Sequence, residues 1–280
     1  MNTTDPTIGT LAVPGATLYH ERRGSGPVLL LIPGGGADAG LYAGMAGDLA
    51  AGGYAVVSFD PRGQSRSPLD GPATDHRPAD RADDAHRLLE LHSPHEPAYV
   101  LGCSAGAVAA LDLLARHPER VRRVVAHEPP LVECWRIPRR TGPCSAGCAR
   151  CTGPGERLRR WPTSVPDSAG ARTGRRPNCR PRYGRWRRAC TPTCPCSWST
   201  SCARSRRACR TWPRYGGAAD RLALAAGRDS RAMPALYGPA RRPAELTGAG
   251  FAEFPGGHVG CTEHPGEFAA LLLAELSRKN

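Results

Sequence analysis

Residues 98–111 read AYVLGCSAGAVAAL, and the pattern changes abruptly within them. Ala98 to Cys103 is a short apolar run suited to a strand buried on both faces, whereas Ala105 to Arg116, rich in alanine and leucine, reads as a helix. Between them lies Gly102-Cys103-Ser104-Ala105-Gly106, a G-x-S-x-G at a strand-to-helix junction. Small residues on both sides let the backbone turn tightly enough to push the serine hydroxyl out above a sheet, and the helix N-terminus behind it favours developing negative charge. A small-residue turn that merely packs helix on strand is the bland alternative. The placement at the junction favours the catalytic one, with Ser104 as nucleophile.

The alternation continues outward in both directions. Upstream, GTLAVPGATLYHERRG predicts a hairpin turning at Pro14-Gly15, followed by a buried strand Val28 to Ile32, a helix from about Leu41 to Ala51, a strand Tyr54 to Phe59 and a helix Ala79 to Leu91. Downstream come a strand Val121 to Ala126, then, beyond a long gap, a strand Leu222 to Ala226, a helix near Ala235 to Leu246, a strand Gly250 to Phe254 and a helix Pro265 to Leu276. Strands alternating with helices of this length predict an α/β fold, a mostly parallel, doubly wound sheet covered on both faces.

A serine is a weak nucleophile at its free pKa and needs a base. His258, in Pro255-Gly256-Gly257-His258-Val259-Gly260, follows the last strand on a loop at the same sheet edge as Ser104. By contrast, His20, His86, His92, His95 and His117 read as solvated surface positions. For the oxyanion hole, the backbone N–H of Ala105 is one candidate donor, and the glycine turn after Val28 to Ile32, through Gly35, is the other. That turn has neither the Gly-Lys-Ser nor the G-x-G-x-x-G spacing of a nucleotide phosphate loop.

In order along the chain, LLLIPGGG, FDPRGQSRSP, YVLGCSAGAVAALDLLARHPERV and FPGGHVG resemble the α/β-hydrolase superfamily, over about residues 9–133 and 218–280. The resemblance implies a serine esterase-like enzyme with a serine nucleophile, a histidine base and an acid after the strand before the last. Ser104 and His258 match residue by residue, and serine at the nucleophile position argues against the aspartate chemistry of haloalkane dehalogenases and epoxide hydrolases. Family members commonly place the acid three residues after the glycine that ends its strand. In Gly227-Arg228-Asp229-Ser230 that position holds Ser230, so Asp229 is the first candidate, and Glu128 in AHEPP is the alternate because some relatives move the acid there. Asp60 in FDPRG reads as structural. The expected substrate is a small molecule with an ester or related acyl bond, with no cofactor and no metal.

The window Cys134 to Gly217 departs from all of this. It holds twenty arginines against the acids Glu156 and Asp167, so it carries +18 while the rest of the chain, whose total is +13, carries −5. The basic charge is thus confined to one segment, and a nucleic-acid partner for the protein as a whole is not indicated. Ten of the twelve cysteines and all five tryptophans lie there, with only Ile137, Leu158 and Val165 as branched aliphatics. Such a composition cannot offset the entropy of ordering the segment, so it is expected to be irregular and not independently folded. The resemblance places it where a helical cap would shape the substrate pocket.

Three readings compete for the window. A metal-binding insert would use Cys144-x3-Cys148-x2-Cys151 and Cys190-x3-Cys194-x-Cys196, but there is no histidine and the spacings are not paired. A basic nucleic-acid-binding arm is compatible with the arginines and tryptophans, yet an arm does not usually replace a lid. The third is translation out of frame. With a single lysine, Lys279, and abundant Ala, Arg, Gly and Pro, the chain suggests a GC-rich gene, whose wrong frame yields Arg, Pro, Cys, Ser and Trp. Back-translating Cys196 to Gly216 with codons ending in G or C and regrouping from each third base permits LVEHELRAVAARVPDLAALR, a helix-like string of balanced charge. The composition favours this reading, and with it the alternative that the protein is a catalytically inactive hydrolase-like product. The start MNTTDPTIGT is polar, VLLLI is too short to span a bilayer, and only Cys103 and Cys261 lie outside the window, so a cytoplasmic location without membrane contact is expected.

Overall fold

The computed structural model describes residues 5–72, 77–131 and 218–278. Their strands are β1 (Thr7–Val13), β2 (Ala16–Arg23), β3 (Val28–Ile32), β4 (Ala55–Phe59), β5 (Ala98–Cys103), β6 (Val121–His127), β7 (Leu222–Gly227) and β8 (Gly250–Phe254). The helices are α1 (Ala43–Ala51), α2 (Pro78–His92), α3 (Ala105–Arg116), α4 (Pro234–Thr247), the single-turn α5 (Gly260–Glu263) and α6 (Pro265–Ser277). The strands form one sheet in the order β1-β2-β4-β3-β5-β6-β7-β8. β1, β2 and β4 pair antiparallel and every later pairing is parallel.

The unbroken apolar runs explain the layering. Every residue of β3 and β4 is buried, and their side chains alternate between two cores. Val28, Leu30 and Ile32 join Ala85, Leu88, Ala107 and Leu111 of α2 and α3 on one face. Leu29 and Leu31 join Met45, Leu49, Phe268 and Leu272 of α1 and α6 on the other. The α/β reading of the sequence therefore holds as a three-layer structure. β5, α3 and β8 have the predicted limits, because each is bounded by a glycine turn or a helix cap. Most other limits shift by a single residue, and the start of α1 by two: Asp38 Oδ1 accepts the Gly40 N–H at 2.9 Å and opens a 3-10 turn, Ala39–Tyr42, so the α-helix begins at Ala43.

His20 is a second departure, being buried rather than solvated. It lies across from Gly9 in the β1–β2 hairpin, where a Cβ on Gly9 would stand 2.5 Å from His20 Cε1. The missing side chain opposite makes room for the ring, which His92 Nε2 meets through Nδ1 at 3.3 Å. The window 134–217 and the expectations attached to it lie outside the described residues.

Since β3 to β8 run parallel, the segments after them gather at one carboxyl edge. Asp60, after β4, is fully buried there and its carboxylate accepts the Ala39 N–H at 3.0 Å and the Arg66 Nε–H at 2.7 Å, while Ser67 Oγ donates to its carbonyl at 2.7 Å. This is the loop-holding role expected of FDPRG.

Candidate active site

Ser104 sits between β5 and α3 at φ 53° and ψ −119°, left-handed territory that a non-glycine residue seldom enters. The turn is held by the Ser104 N–H, which donates to the His127 carbonyl at 2.9 Å. The two glycines of the motif are required by contact. A Cβ at Gly102 would lie 2.4 Å from the Gly106 carbonyl oxygen, and one at Gly106 would lie 2.1 Å from that of Ile32. The elbow therefore packs α3 directly against the ends of β3 and β5. Strain of this kind costs about 1–3 kcal/mol and persists where the surroundings over-determine it.

The glycine turn after β3 lies against the serine. A Cβ at Gly34 would stand 3.3 Å from Ser104 Cβ, and one at Gly35 would stand 3.9 Å from Ala105 Cβ. Gly35 and Ala105, the two residues suggested as oxyanion donors, are thus brought side by side.

His258 follows β8 in a loop made by contacts near its own backbone. Gly256 adopts φ 70°, and the Gly257 N–H donates to Glu263 Oε2 at 2.7 Å. The loop crosses over the end of β7, where a Cβ at Gly227 would come within 2.4 Å of the Gly256 carbonyl oxygen. Gly227 is thus the residue that lets the histidine loop approach.

The acid facing His258 is Glu128 rather than Asp229. Glu128 Oε2 lies 2.6 Å from His258 Nδ1, and its Oε1 accepts the Gly227 N–H at 2.9 Å. The carboxylate is fully buried, and the backbone of Glu128 takes φ 46° with its N–H donated to the Ala225 carbonyl at 2.8 Å. Burial alone would raise the carboxyl's pKa, but the hydrogen bond to His258, the adjacent Ser230 hydroxyl and the Gly227 N–H outweigh it and hold it below its ordinary value. Ser230 Oγ is itself buried, close enough to favour the ionised carboxylate but without an aligned hydrogen-bond partner. Asp229 is exposed in the 3-10 turn Asp229–Ala232, and its N–H is tied to the Gly256 carbonyl at 3.0 Å. It supports the histidine loop through its backbone.

An ionised acceptor on Nδ1 keeps the imidazole proton there and leaves Nε2 as the basic nitrogen. Among the described residues no hydrogen bond joins His258 to Ser104, a contact that often tightens only once substrate is bound. Beneath the pair, His127 is wholly buried against the edges of Phe254 and Phe268, and burial lowers its pKa to about 4. Its place at the end of an apolar strand, one residue before Glu128, is the sequence signal for a buried histidine.

The family model for the alpha/beta hydrolase fold matches residues 27–143, the stretch holding β3 to β6 and the serine elbow. With the sheet order above, this match gives the chain the α/β-hydrolase fold. The chain is 49% identical over 125 residues to the uncharacterized hydrolase YraK of Bacillus subtilis (strain 168), covering 45% of each chain. It is 32% identical over 126 residues to a zearalenone hydrolase of Bionectria ochroleuca, covering 44% of this chain and 48% of the relative. It spans less than half the length of these curated relatives. Among solved structures, a laboratory-evolved variant of potato epoxide hydrolase is 25% identical with a TM-score of 0.41, covering 44% of this chain and 40% of the other. No helix among the described residues is long and apolar enough to cross a membrane.

Proposed function

We propose that this protein is an α/β-hydrolase, a serine hydrolase of the esterase type acting on an ester or related acyl bond of a small molecule. The observation that carries the reading is the Glu128–His258 contact at 2.6 Å, on loops of the same sheet edge that bears the strained Ser104. In this reading Ser104 Oγ attacks the acyl carbonyl as His258 Nε2 takes its proton, and the N–H groups of Ala105 and Gly35 receive the negative charge on the carbonyl oxygen. The tetrahedral intermediate collapses, the leaving alcohol takes the proton from His258, and water attacks the acyl-serine by the same base. Glu128 keeps the imidazole in the productive tautomer and stabilises the imidazolium. No cofactor enters these steps.

Turnover of a short-chain p-nitrophenyl ester tests this. Ser104→Ala is expected to reduce turnover by about 10^4-fold or more, whereas Cys103→Ala leaves it within a few-fold. Retained turnover in Ser104→Ala contradicts the reading.

A second reading rests on the composition of residues 134–217: the segment is an out-of-frame translation of the ancestral lid, and the protein as written turns over weakly or not at all. The coding DNA of codons 130–220 tests it. Third-position GC bias that moves to another frame within these codons supports it; bias that stays in the given frame excludes it.

A further inference from the structure

We infer that His86, His117 and Glu119, with Glu90 beside them, form a binding site for a divalent transition-metal ion of the zinc class between the second half of α2 and the end of α3. One donor atom from each of His86, His117 and Glu119 falls within 4.8 Å of the others. The two imidazoles stack with centroids 3.8 Å apart and planes 20° apart. Each has a carboxylate near its Nδ1: Glu90 Oε2 lies 3.9 Å from that of His86, and Glu119 Oε1 lies 3.8 Å from that of His117.

The chemistry of the donors selects the ion. Two imidazole nitrogens and one or two carboxylate oxygens suit zinc, cobalt, nickel or copper, whereas magnesium and calcium want oxygen shells. His117 caps the C-terminus of α3, donating its N–H to the Leu113 carbonyl at 2.8 Å, and the negative end of a three-turn helix favours a cation. The nearby Arg120 opposes a cation, but its guanidinium is fastened to the carbonyls of Leu89, Ser93 and Pro94.

Side-chain freedom decides whether the donors can close on an ion. Tetrahedral zinc places two nitrogens about 3.4 Å apart, given zinc–nitrogen bonds of about 2.1 Å. The histidines are 21% and 25% exposed and need only hinge from their stack, while Glu90 and Glu119, at 58% and 65%, turn freely from solvent. The bound ion would fasten α2 to the turn after α3. Because Ser104 stands at the opposite end of α3, whose twelve residues rise about 18 Å, the ion would act on stability and leave the candidate active site alone.

The test is zinc titration of the full chain, read by two-bond proton–nitrogen spectra of the histidine side chains. This readout separates the imidazoles from the thiols of residues 134–217, a segment that contains no histidine. The ring nitrogens of His86 and His117 are expected to move together and saturate at a single site with micromolar zinc, and the melting temperature to rise with them. His117→Gln should abolish the shift at His86, and Glu119→Gln should weaken binding about tenfold or more. Unmoved His86 and His117 resonances, or movement only at millimolar zinc, overturn the site whether or not the thiols take metal. Because the readout is binding, its failure is distinct from any failure of the esterase reading.

Discussion

At the residue scale, the acid is where the account is most exposed. Glu128 is buried, ionised and bonded to His258, while Asp229 faces solvent. Glu128→Gln is therefore expected to lower kcat for an ester by about 10^3-fold or more, since an amide can hold the wrong imidazole tautomer. Asp229→Asn should stay within about twofold, because its contribution is a backbone hydrogen bond. A larger loss from Asp229→Asn than from Glu128→Gln would return the acid to the loop after β7. The sequence could name both candidates but could not rank them. The choice depends on which loop brings a carboxylate under the imidazole, and that is set by the left-handed turn at Glu128 and the crossing of the histidine loop over Gly227.

Two other residues predict acid sensitivity. Burial lowers His127 and His92 to about 4 from the ordinary 6.5. Between those values the unfolded chain binds more protons than the folded one, so stability is full above pH 6.5 and is lost as pH falls toward 4. For the wholly buried His127 the loss is about 3 kcal/mol. Urea unfolding followed from pH 7 to pH 4 should show this slope, and His92→Gln should flatten part of it. Stability that is unchanged or higher at pH 4 would contradict the burial of these rings as neutral groups.

At the scale of elements, the centre of the sheet was legible because β3, β4 and β7 are buried on both faces. Runs such as VLLLI need no alternation, and each ends at a glycine turn or a helix start. The buried His20 was not legible: alternation in a hairpin does not reveal that Gly9 opposite leaves space for a ring. Glycines also give the sharpest contrast in expected stability. Gly106→Ala should cost several kcal/mol or prevent folding, because the new Cβ would lie 2.1 Å from a backbone carbonyl with nowhere to move. Gly47→Ala, inside α1 with nothing within 4 Å of its would-be Cβ, should stabilise by up to about 1 kcal/mol. Melting temperatures of the two variants check both signs.

At the scale of the whole molecule, the chain joins a sheet of the α/β-hydrolase fold to a segment that holds all five tryptophans and ten of the twelve cysteines. If residues 134–217 are out of frame, restoring the alternate frame across those codons should bring back a helical lid and ester turnover together. Circular dichroism and the p-nitrophenyl ester assay would follow the two gains, and a frame-restored chain that gained neither would count against the lid. The central claim concerns Ser104 itself and is independent of any lid, because the elbow, the glycine turn and the Glu128–His258 pair all lie on the sheet. The most direct measurement is reaction of the protein with a fluorophosphonate, with the adduct located by mass spectrometry. The account predicts a single phosphonylated residue, Ser104, whose labelling collapses in His258→Ala. An unlabelled Ser104, or one labelled equally well without His258, would contradict it.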